Sequence, residues 1–312
     1  MLRAVDGVSV RVRDGFTVGI VGESGCGKTT LARCIAGLEE ATSGRLKLEG
    51  EEIPKSLMRR PRALRRKIQM VFQSPESTLN PHHTVGDIIR RPLALSGTLS
   101  EEQISERAVD LLESVNLPRQ YLRRLPHELS GGEKQRVAIA RAFAAQPRLM
   151  LCDEPFSSLD VSVQASLMNL LVELQLERET AYLYVSHDLA AVRYLSDWIA
   201  VVYLGQLCEV GAGEDVFSPP SHPYTEALLS AIPIPDLDVR QERIRLGGSV
   251  PSAVDVPSGC QFHTRCPRRV GEICDTEAPP WQELGGYHRI RCHIPPDTLS
   301  EIQKDMLDKR AG

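Results

Sequence analysis

The sequence predicts an α/β fold, with a mostly parallel sheet up to about residue 215 and a loop-rich C-terminal region after it. Three observations predict this. Short β-branched runs alternate with amphipathic helical stretches in the first region. A glycine-rich loop joins one such run directly to a helical stretch. From Ser218-Pro219-Pro220-Ser221 onward the chain is rich in Pro and Gly, including Gly247-Gly248, Pro251, Pro257, Pro279-Pro280 and Pro295-Pro296. At 312 residues the chain has room for about two domains. Its 42% apolar and 25% charged residues are those of an ordinary globular protein.

Composition excludes several function classes. The longest uninterrupted apolar stretch, Trp198 to Leu204, is seven residues, where a membrane-crossing helix needs about 20. The start, Met1-Leu2-Arg3-Ala4-Val5-Asp6-Gly7, lacks the basic-then-apolar layout of a signal peptide, so a cytoplasmic protein is expected. A formal charge of −4, from 37 basic and 41 acidic side chains, gives no global pull toward nucleic acid. Eight cysteines in a reducing compartment point to metal or redox chemistry rather than disulfides.

The elements follow in chain order. Phe16-Thr17-Val18-Gly19-Ile20-Val21 reads as a buried strand. Gly22-Glu23-Ser24-Gly25-Cys26-Gly27-Lys28-Thr29 then matches G-x-x-x-x-G-K-[ST]. Its glycines let backbone amides curl around phosphate oxygens, Lys28 reaches the β- and γ-phosphates, and Thr29 can ligate Mg²⁺. A helix from about Thr29 aims its positive end at the same anion. The basic run Lys55, Arg59, Arg60, Arg62, Arg65, Arg66 and Lys67 has no interleaved aromatics and reads as a solvated surface. Ser100-Glu101-Glu102-Gln103 has the form of a capping box, after which Ile104, Ala108, Leu111, Leu112 and Val115 recur at helical spacing.

Leu129-Ser130-Gly131-Gly132-Glu133 opens another helix. Ser130 and Glu133 make a capping box, and the two glycines, costly in a helix, suit a close approach of backbone to an anion. Leu149-Met150-Leu151-Cys152 is a strand ending in Asp153-Glu154. Two carboxylates at an apolar strand end need a cation or reactant as partner, so Asp153 fits a Mg²⁺ ligand and Glu154 a base that orients water. Ala181-Tyr182-Leu183-Tyr184-Val185 is a third strand, and residues from Asp297 onward read as a polar helix or tail.

Together these residues resemble the ATP-binding subunit of an ABC transporter over about residues 4–235. Six elements stand in the family's order: the Walker A loop Gly22 to Thr29, the Q-loop Gln73, the signature Leu129 to Glu133, Walker B Asp153 with Glu154, the D-loop Ser157-Ser158-Leu159-Asp160, and the switch His187. The resemblance implies an ABC-type phosphate-loop NTPase in residues 1–235, a RecA-like core plus a helical subdomain at about 76–147, with a separate C-terminal domain in 236–312. It implies a head-to-tail pair. ATP would lie between Gly22, Glu23, Ser24, Gly25, Cys26, Gly27, Lys28, Thr29 and Thr30 of one chain and Ser130, Gly131, Gly132 and Glu133 of the other. Thr29, Gln73 and Asp153 would hold Mg²⁺, Glu154, His187 and Gln73 would be catalytic, and Asp160 would report across the interface.

Two departures from the family pattern stand out. Glu133 replaces the glutamine usual at the end of the signature. No aromatic precedes Phe16 where the adenine-stacking residue belongs, so a truncated N-terminus or a misassigned start codon is expected.

Ser221-His222-Pro223-Tyr224-Thr225, followed by Ala231-Ile232-Pro233, is similar to the tail of oligopeptide, dipeptide and nickel importer ATPases. This implies ATP-driven import of peptides, a second and different ATPase subunit, two membrane permeases, an extracytoplasmic binding protein, and a peripheral place on the cytoplasmic face of the membrane. The alternatives are an ATPase for nickel or another small solute, and a soluble non-transport ABC ATPase. The latter normally carries a coiled-coil insertion or a second nucleotide domain, and neither is present.

Four cysteines, Cys260-x5-Cys266-x7-Cys274-x17-Cys292, offer soft ligands in a loop-rich segment, with His263 and His293 nearby. The residues alone leave zinc and iron–sulfur open. The pattern resembles the segment that binds a [4Fe–4S] cluster in some dipeptide importer ATPases, so a cluster is expected, with Zn²⁺ as the alternative. Cys26 fills a small-residue slot, and Cys34, Cys152 and Cys208 read as small buried apolar residues.

Overall fold

The computed structural model describes residues 2–232 and 243–308. Pro233, the expected domain boundary at residue 235 and the last four residues of the expected C-terminal tail lie outside the described residues. The chain divides into two compact units. One gathers Met1–Arg11, Thr17–Leu31 and Val185–Gly312, the other Val12–Phe16 and Ala32–Tyr184.

The first unit is built on Thr17–Val21, whose five residues are all buried. It pairs in parallel with Trp198–Tyr203, Val18 opposite Trp198 and Val21 opposite Val201. A run of apolar side chains buried on both faces is what a parallel strand requires. Trp198–Tyr203 then turns back through Leu204-Gly205 into the antiparallel strand Gln206–Ala212. Both turn residues have positive φ, 44° and 78°, as a two-residue hairpin matched to strand twist demands.

Beyond it the C-terminal region departs from the loop-rich reading. His288–Arg291 pairs antiparallel with Gln206–Ala212, and Trp281–Gly285 pairs with His288–Arg291. A small core of Ile290, Cys292, Ile294 and Leu299 forms beside them. The helix Pro296–Asp308 follows, as the polar-helix reading expected. The strands were hidden because alternate positions are charged: in His288-Arg289-Ile290-Arg291 the pattern is buried, half-buried, buried, half-buried.

In the second unit Ile68–Val71 pairs in parallel with Leu149–Asp153, Val71 opposite Cys152. Leu149–Asp153 has Ala181–Ser186 as its other neighbour. Between the first two strands the chain is helical. Val85–Ala94 starts at Thr84 and Glu101–Ser114 at Ser100, each with a reciprocal capping box. Ile104, Ala108, Leu111 and Leu112 are buried at the spacing the sequence showed. Gly131–Phe143 and Val161–Arg178 add Ile139, Phe143, Leu167, Leu170, Leu171 and Leu174 to the core, each worth about 2 kcal/mol of burial.

The basic run is only partly a solvated surface. Arg60 is 1% exposed. Its Nε donates to the Pro54 carbonyl at 2.8 Å and its Nη1 to the Ala36 carbonyl at 3.0 Å, at the end of the helix Lys28–Ala36. Arg65 in turn donates to the Arg60 carbonyl at 2.8 Å. Two arginines thus tie backbone carbonyls that a helix end and a loop leave open. Cys152 and Cys208 are buried as expected, whereas Cys34, expected to be buried, is half-buried; Cys26 is buried in the phosphate loop.

Candidate active site

The phosphate loop leaves the buried strand Thr17–Val21 and ends in the helix Lys28–Ala36, the frame the motif requires. Lys28 is 4% exposed. Its Nζ donates to the carbonyls of Gly22 at 2.7 Å and Glu23 at 3.0 Å, and lies 3.8 Å from the Cys26 Sγ. A buried ammonium needs such acceptors, and the loop supplies them from its own backbone. Burial raises the Cys26 thiol, with the Lys28 charge acting against it. Ser24 and Gly25 form the exposed crest of the loop. Gly27 has φ +102°, and a Cβ there would fall 1.9 Å from the Ala4 carbonyl oxygen, so only glycine fits.

Further along the same unit, His187 is exposed just after the strand Ala181–Ser186. The turn is fixed on both sides. Ser186 Oγ accepts from the Asp188 amide at 3.0 Å, and Asp188 caps the helix Leu189–Leu195 by accepting from Ala190 and Ala191 amides at 2.9 and 3.3 Å. The imidazole is therefore carried on a short, rigid corner.

The second unit holds the remaining sequence-predicted residues of the nucleotide motifs. Asp153 is the buried end of Leu149–Asp153, and Glu154 follows it in a left-handed conformation, φ 45°. That conformation is uncommon for a non-glycine residue and marks a constrained corner. Gln73 Nε2 donates to Ser157 Oγ at 3.1 Å, and Ser157 Oγ donates to the Glu154 carbonyl at 3.2 Å. The structure thus brings Gln73 and the turn after Glu154 together through Ser157, a link no sequence spacing reveals. Asp160 caps Val161–Arg178 by accepting from the Val163 amide at 3.0 Å, and that hydrogen bond holds its carboxyl below the usual range.

Ser130 caps Gly131–Phe143 in a full box. Ser130 Oγ accepts from the Glu133 amide at 3.3 Å and Glu133 Oε2 from the Ser130 amide at 2.7 Å. Tyr121 Oη donates to Glu133 Oε1 at 2.6 Å, which lowers the Glu133 carboxyl and raises the Tyr121 phenol. Tyr121 gave no signal in the sequence. Gly132 has a second reason for lacking a side chain: a Cβ would lie 2.6 Å from Val163 Cγ1, so the glycine lets the two helices meet closely.

The expected iron–sulfur or zinc centre is corrected. Among the described residues no group of three or more His, Cys, Asp and Glu side chains is arranged to hold a metal ion. Three of the four cysteine residues make contacts of their own, two of them through the backbone. Cys292 packs with Ile290, Ile294 and Leu299, and its Sγ accepts from the Ile294 amide at 3.4 Å. The Cys260 amide donates to the Cys274 carbonyl at 2.8 Å, and Cys274 is buried. Burial pushes the Cys260 thiol up, Cys266 up to about 12 and Cys292 up to about 11. The two candidate histidines also have other partners: His263 Nδ1 lies 2.9 Å from the Cys260 carbonyl and His293 Nε2 2.9 Å from the Glu277 carbonyl.

Among the described residues no helix is long and apolar enough to cross a membrane. Comparison with known proteins matches residues 5–157 to the ABC transporter family and residues 208–274 to the oligopeptide/dipeptide transporter C-terminal region. The di/tripeptide transport ATP-binding protein DppF of Pseudomonas aeruginosa (strain UCBPP-PA14) is 43% identical over 292 residues, 94% of this chain and 90% of that protein. The oligopeptide transport ATP-binding protein OppF of Escherichia coli (strain K12) is 45% identical over 294 residues, 93% of this chain and 87% of that protein. Among solved structures, cbiO1 of Clostridium perfringens, part of the ABC transporter complex cbiONQ, superposes with a TM-score of 0.63 at 29% identity, over 69% of this chain and 84% of that one. The ATP-binding cassette MJ0796, a dimer in a post-hydrolysis state bound to ADP and Pi, gives 0.59 at 30% identity, over 67% and 90%.

Proposed function

The chain belongs to the family of ATP-binding proteins of dipeptide and oligopeptide ABC transporters, and from that premise we propose that it hydrolyses ATP to drive the import of di- or oligopeptides. The observation that carries the reading is the phosphate loop: a buried strand, a glycine-lined turn and a helix, with Lys28 held on the carbonyls of Gly22 and Glu23. Residues 22–30 cradle the phosphates with backbone amides, and Lys28 turns from those carbonyls to the β- and γ-phosphates.

Thr29, Gln73 and Asp153 offer a hydroxyl, a carboxamide oxygen and a carboxylate, the hard oxygen donors that Mg²⁺ prefers. When bound, Mg²⁺ neutralises charge that develops on the phosphates during transfer. Glu154 orients and deprotonates the attacking water, His187 contacts the γ-phosphate, and Gln73 joins the nucleotide end to the turn at Ser157. Ser130, Gly131, Gly132 and Glu133 present a helix N-terminus to the nucleotide held by a partner chain, and Asp160 reports across that interface.

Residues 1–235 form the ATPase, with its helical subdomain at about 76–147, and residues 236–312 the appended domain. The partner chain is a second, different ATPase. The pair sits on the cytoplasmic face of two membrane permeases, fed by an extracytoplasmic binding protein. Closure of the pair on ATP and its opening after hydrolysis drive the permeases, because the contacts to the γ-phosphate exist in one state only.

Glu154→Gln tests the reaction. The substitution keeps the shape and removes the base, so the assembled transporter is expected to bind ATP, hold it and lose phosphate release. Turnover at more than about a tenth of the wild-type rate would remove Glu154 from that role.

A further inference from the structure

Glu23, the first variable residue of the phosphate loop, is gripped from the C-terminal region. Its backbone amide donates to Tyr224 Oη at 2.7 Å. Its carboxylate takes both terminal nitrogens of Arg265, Nη1 to Oε2 at 2.6 Å and Nη2 to Oε1 at 3.0 Å. The pair is largely out of water: the Arg265 side chain is 7% exposed and that of Glu23 27%. A two-pronged arginine–carboxylate contact fixes orientation as well as distance.

The groups that grip are themselves locked. Tyr224 is fully buried and stands on the helix Pro223–Leu229, which His222 caps. It packs against Tyr203 at a ring separation of 4.8 Å and against Phe262 at 5.3 Å. Arg265 sits on a turn whose amide donates to the Phe262 carbonyl at 3.0 Å, and the turn is pinned where the Cys260 amide meets the Cys274 carbonyl at 2.8 Å. Helix and turn are tied to each other by Arg268, which takes both oxygens of the buried Glu226 at 2.7 and 2.5 Å.

We propose that Arg265 is a positioning residue for nucleotide binding: with Tyr224 it fixes the first turn of the phosphate loop and screens the Glu23 carboxylate, so that the C-terminal region sets the affinity for ATP. The proposal rests on the ATPase reading of this loop and adds to it a control point outside every motif. Two physical effects act together. A loop already ordered loses less conformational freedom when the phosphates arrive. A carboxylate within a phosphate-binding loop repels the incoming polyanion, and the guanidinium cancels that charge where it stands.

The test uses the full chain, with equilibrium titration of Mg·ATP and the split between KM and kcat. Arg265→Gln is expected to raise the Kd and KM for ATP roughly three- to tenfold, with kcat at saturation within about twofold of wild type. Arg265→Lys, which keeps the charge and loses the second prong, should fall between the two. Adding Glu23→Gln to Arg265→Gln removes the repelling charge and should recover affinity, which a merely structural contact would not do. A Kd in Arg265→Gln within about twofold of wild type, or a double variant no better than the single one, would overturn the proposal. Should Arg265→Gln fail to fold, Tyr224→Phe removes only the hydroxyl that accepts from Glu23, and an unchanged Kd there overturns it equally. A wild-type chain that binds no ATP would instead overturn the functional reading beneath it.

Discussion

Replacing His222 by Asn should flatten the acid side of the stability profile. His222 is 2% exposed and its Nδ1 accepts from the Tyr224 amide at 3.0 Å, capping Pro223–Leu229. An imidazole nitrogen that accepts a hydrogen bond has no room for a proton. Burial holds the pKa down at about 4, against an ordinary 6.5, with a backbone hydrogen bond at Arg291 pulling the other way.

The sign follows from proton binding. Between about pH 6.5 and about pH 4 the unfolded chain takes up a proton that the folded chain does not, so stability falls as the solution is acidified through that window. The contribution is fully present above pH 6.5. At pH 5 the loss is about 2 kcal/mol, and below the folded pKa roughly 3 kcal/mol. Burial moves Glu209, whose Oε2 accepts from the His222 amide at 2.9 Å, in the opposite sense: its raised carboxyl takes up a proton on folding. That group is the same in both proteins and cancels in the comparison. Asparagine caps helices well and does not titrate. Urea unfolding of wild type and His222→Asn at pH 7.5 and pH 5.0 should therefore show wild type losing about 2 kcal/mol more than the variant on acidification. Equal losses in the two proteins would refute the reasoning.

Other positions give sharp tests. Gly27→Ala sets a methyl 1.9 Å from the Ala4 carbonyl at a positive φ. It should weaken ATP binding by more than about tenfold in a titration and cost roughly 1–3 kcal/mol of stability. Ser130→Ala removes a helix cap and should cost about 1 kcal/mol in a urea melt. Ser130→Asn keeps the cap, so a variant of normal stability that has lost ATP turnover would separate the nucleotide-binding role of Ser130 from its structural one.

Much of the ATPase was legible because its residues carry rules that work over a few positions. The spacing of Ile104, Ala108, Leu111 and Leu112 gave a helix, and Ser100 with Gln103 gave its start. Gly22 to Thr29 gave a phosphate loop because few other sequences place a lysine and a hydroxyl after such a turn. Long-range contacts were not legible. Nothing in the sequence joins Glu23 to Arg265, 242 positions away, or Glu133 to Tyr121. The four cysteines misled because ligand type and spacing say nothing of how side chains are arranged in space, and among the described residues no such group is placed to hold a metal ion. The pair Gly131-Gly132 suits an anion, while the close approach of Val163 gives Gly132 an independent need that the sequence does not show.

The hairpin formed by Trp281–Gly285 and His288–Arg291 has a consequence for the solution behaviour of the chain. Without it, Gln206–Ala212, with Leu207 and Cys208 buried, would present a bare strand edge, a template on which a second molecule can pair. With it, the sheet ends on Trp281–Gly285, a short strand whose residues alternate between exposed and half-buried, with the charged Glu283 on its exposed face. A chain cut just before Trp281 would keep every residue of the six nucleotide motifs and lose this cover, so its first failing is expected to be self-association rather than loss of ATP binding.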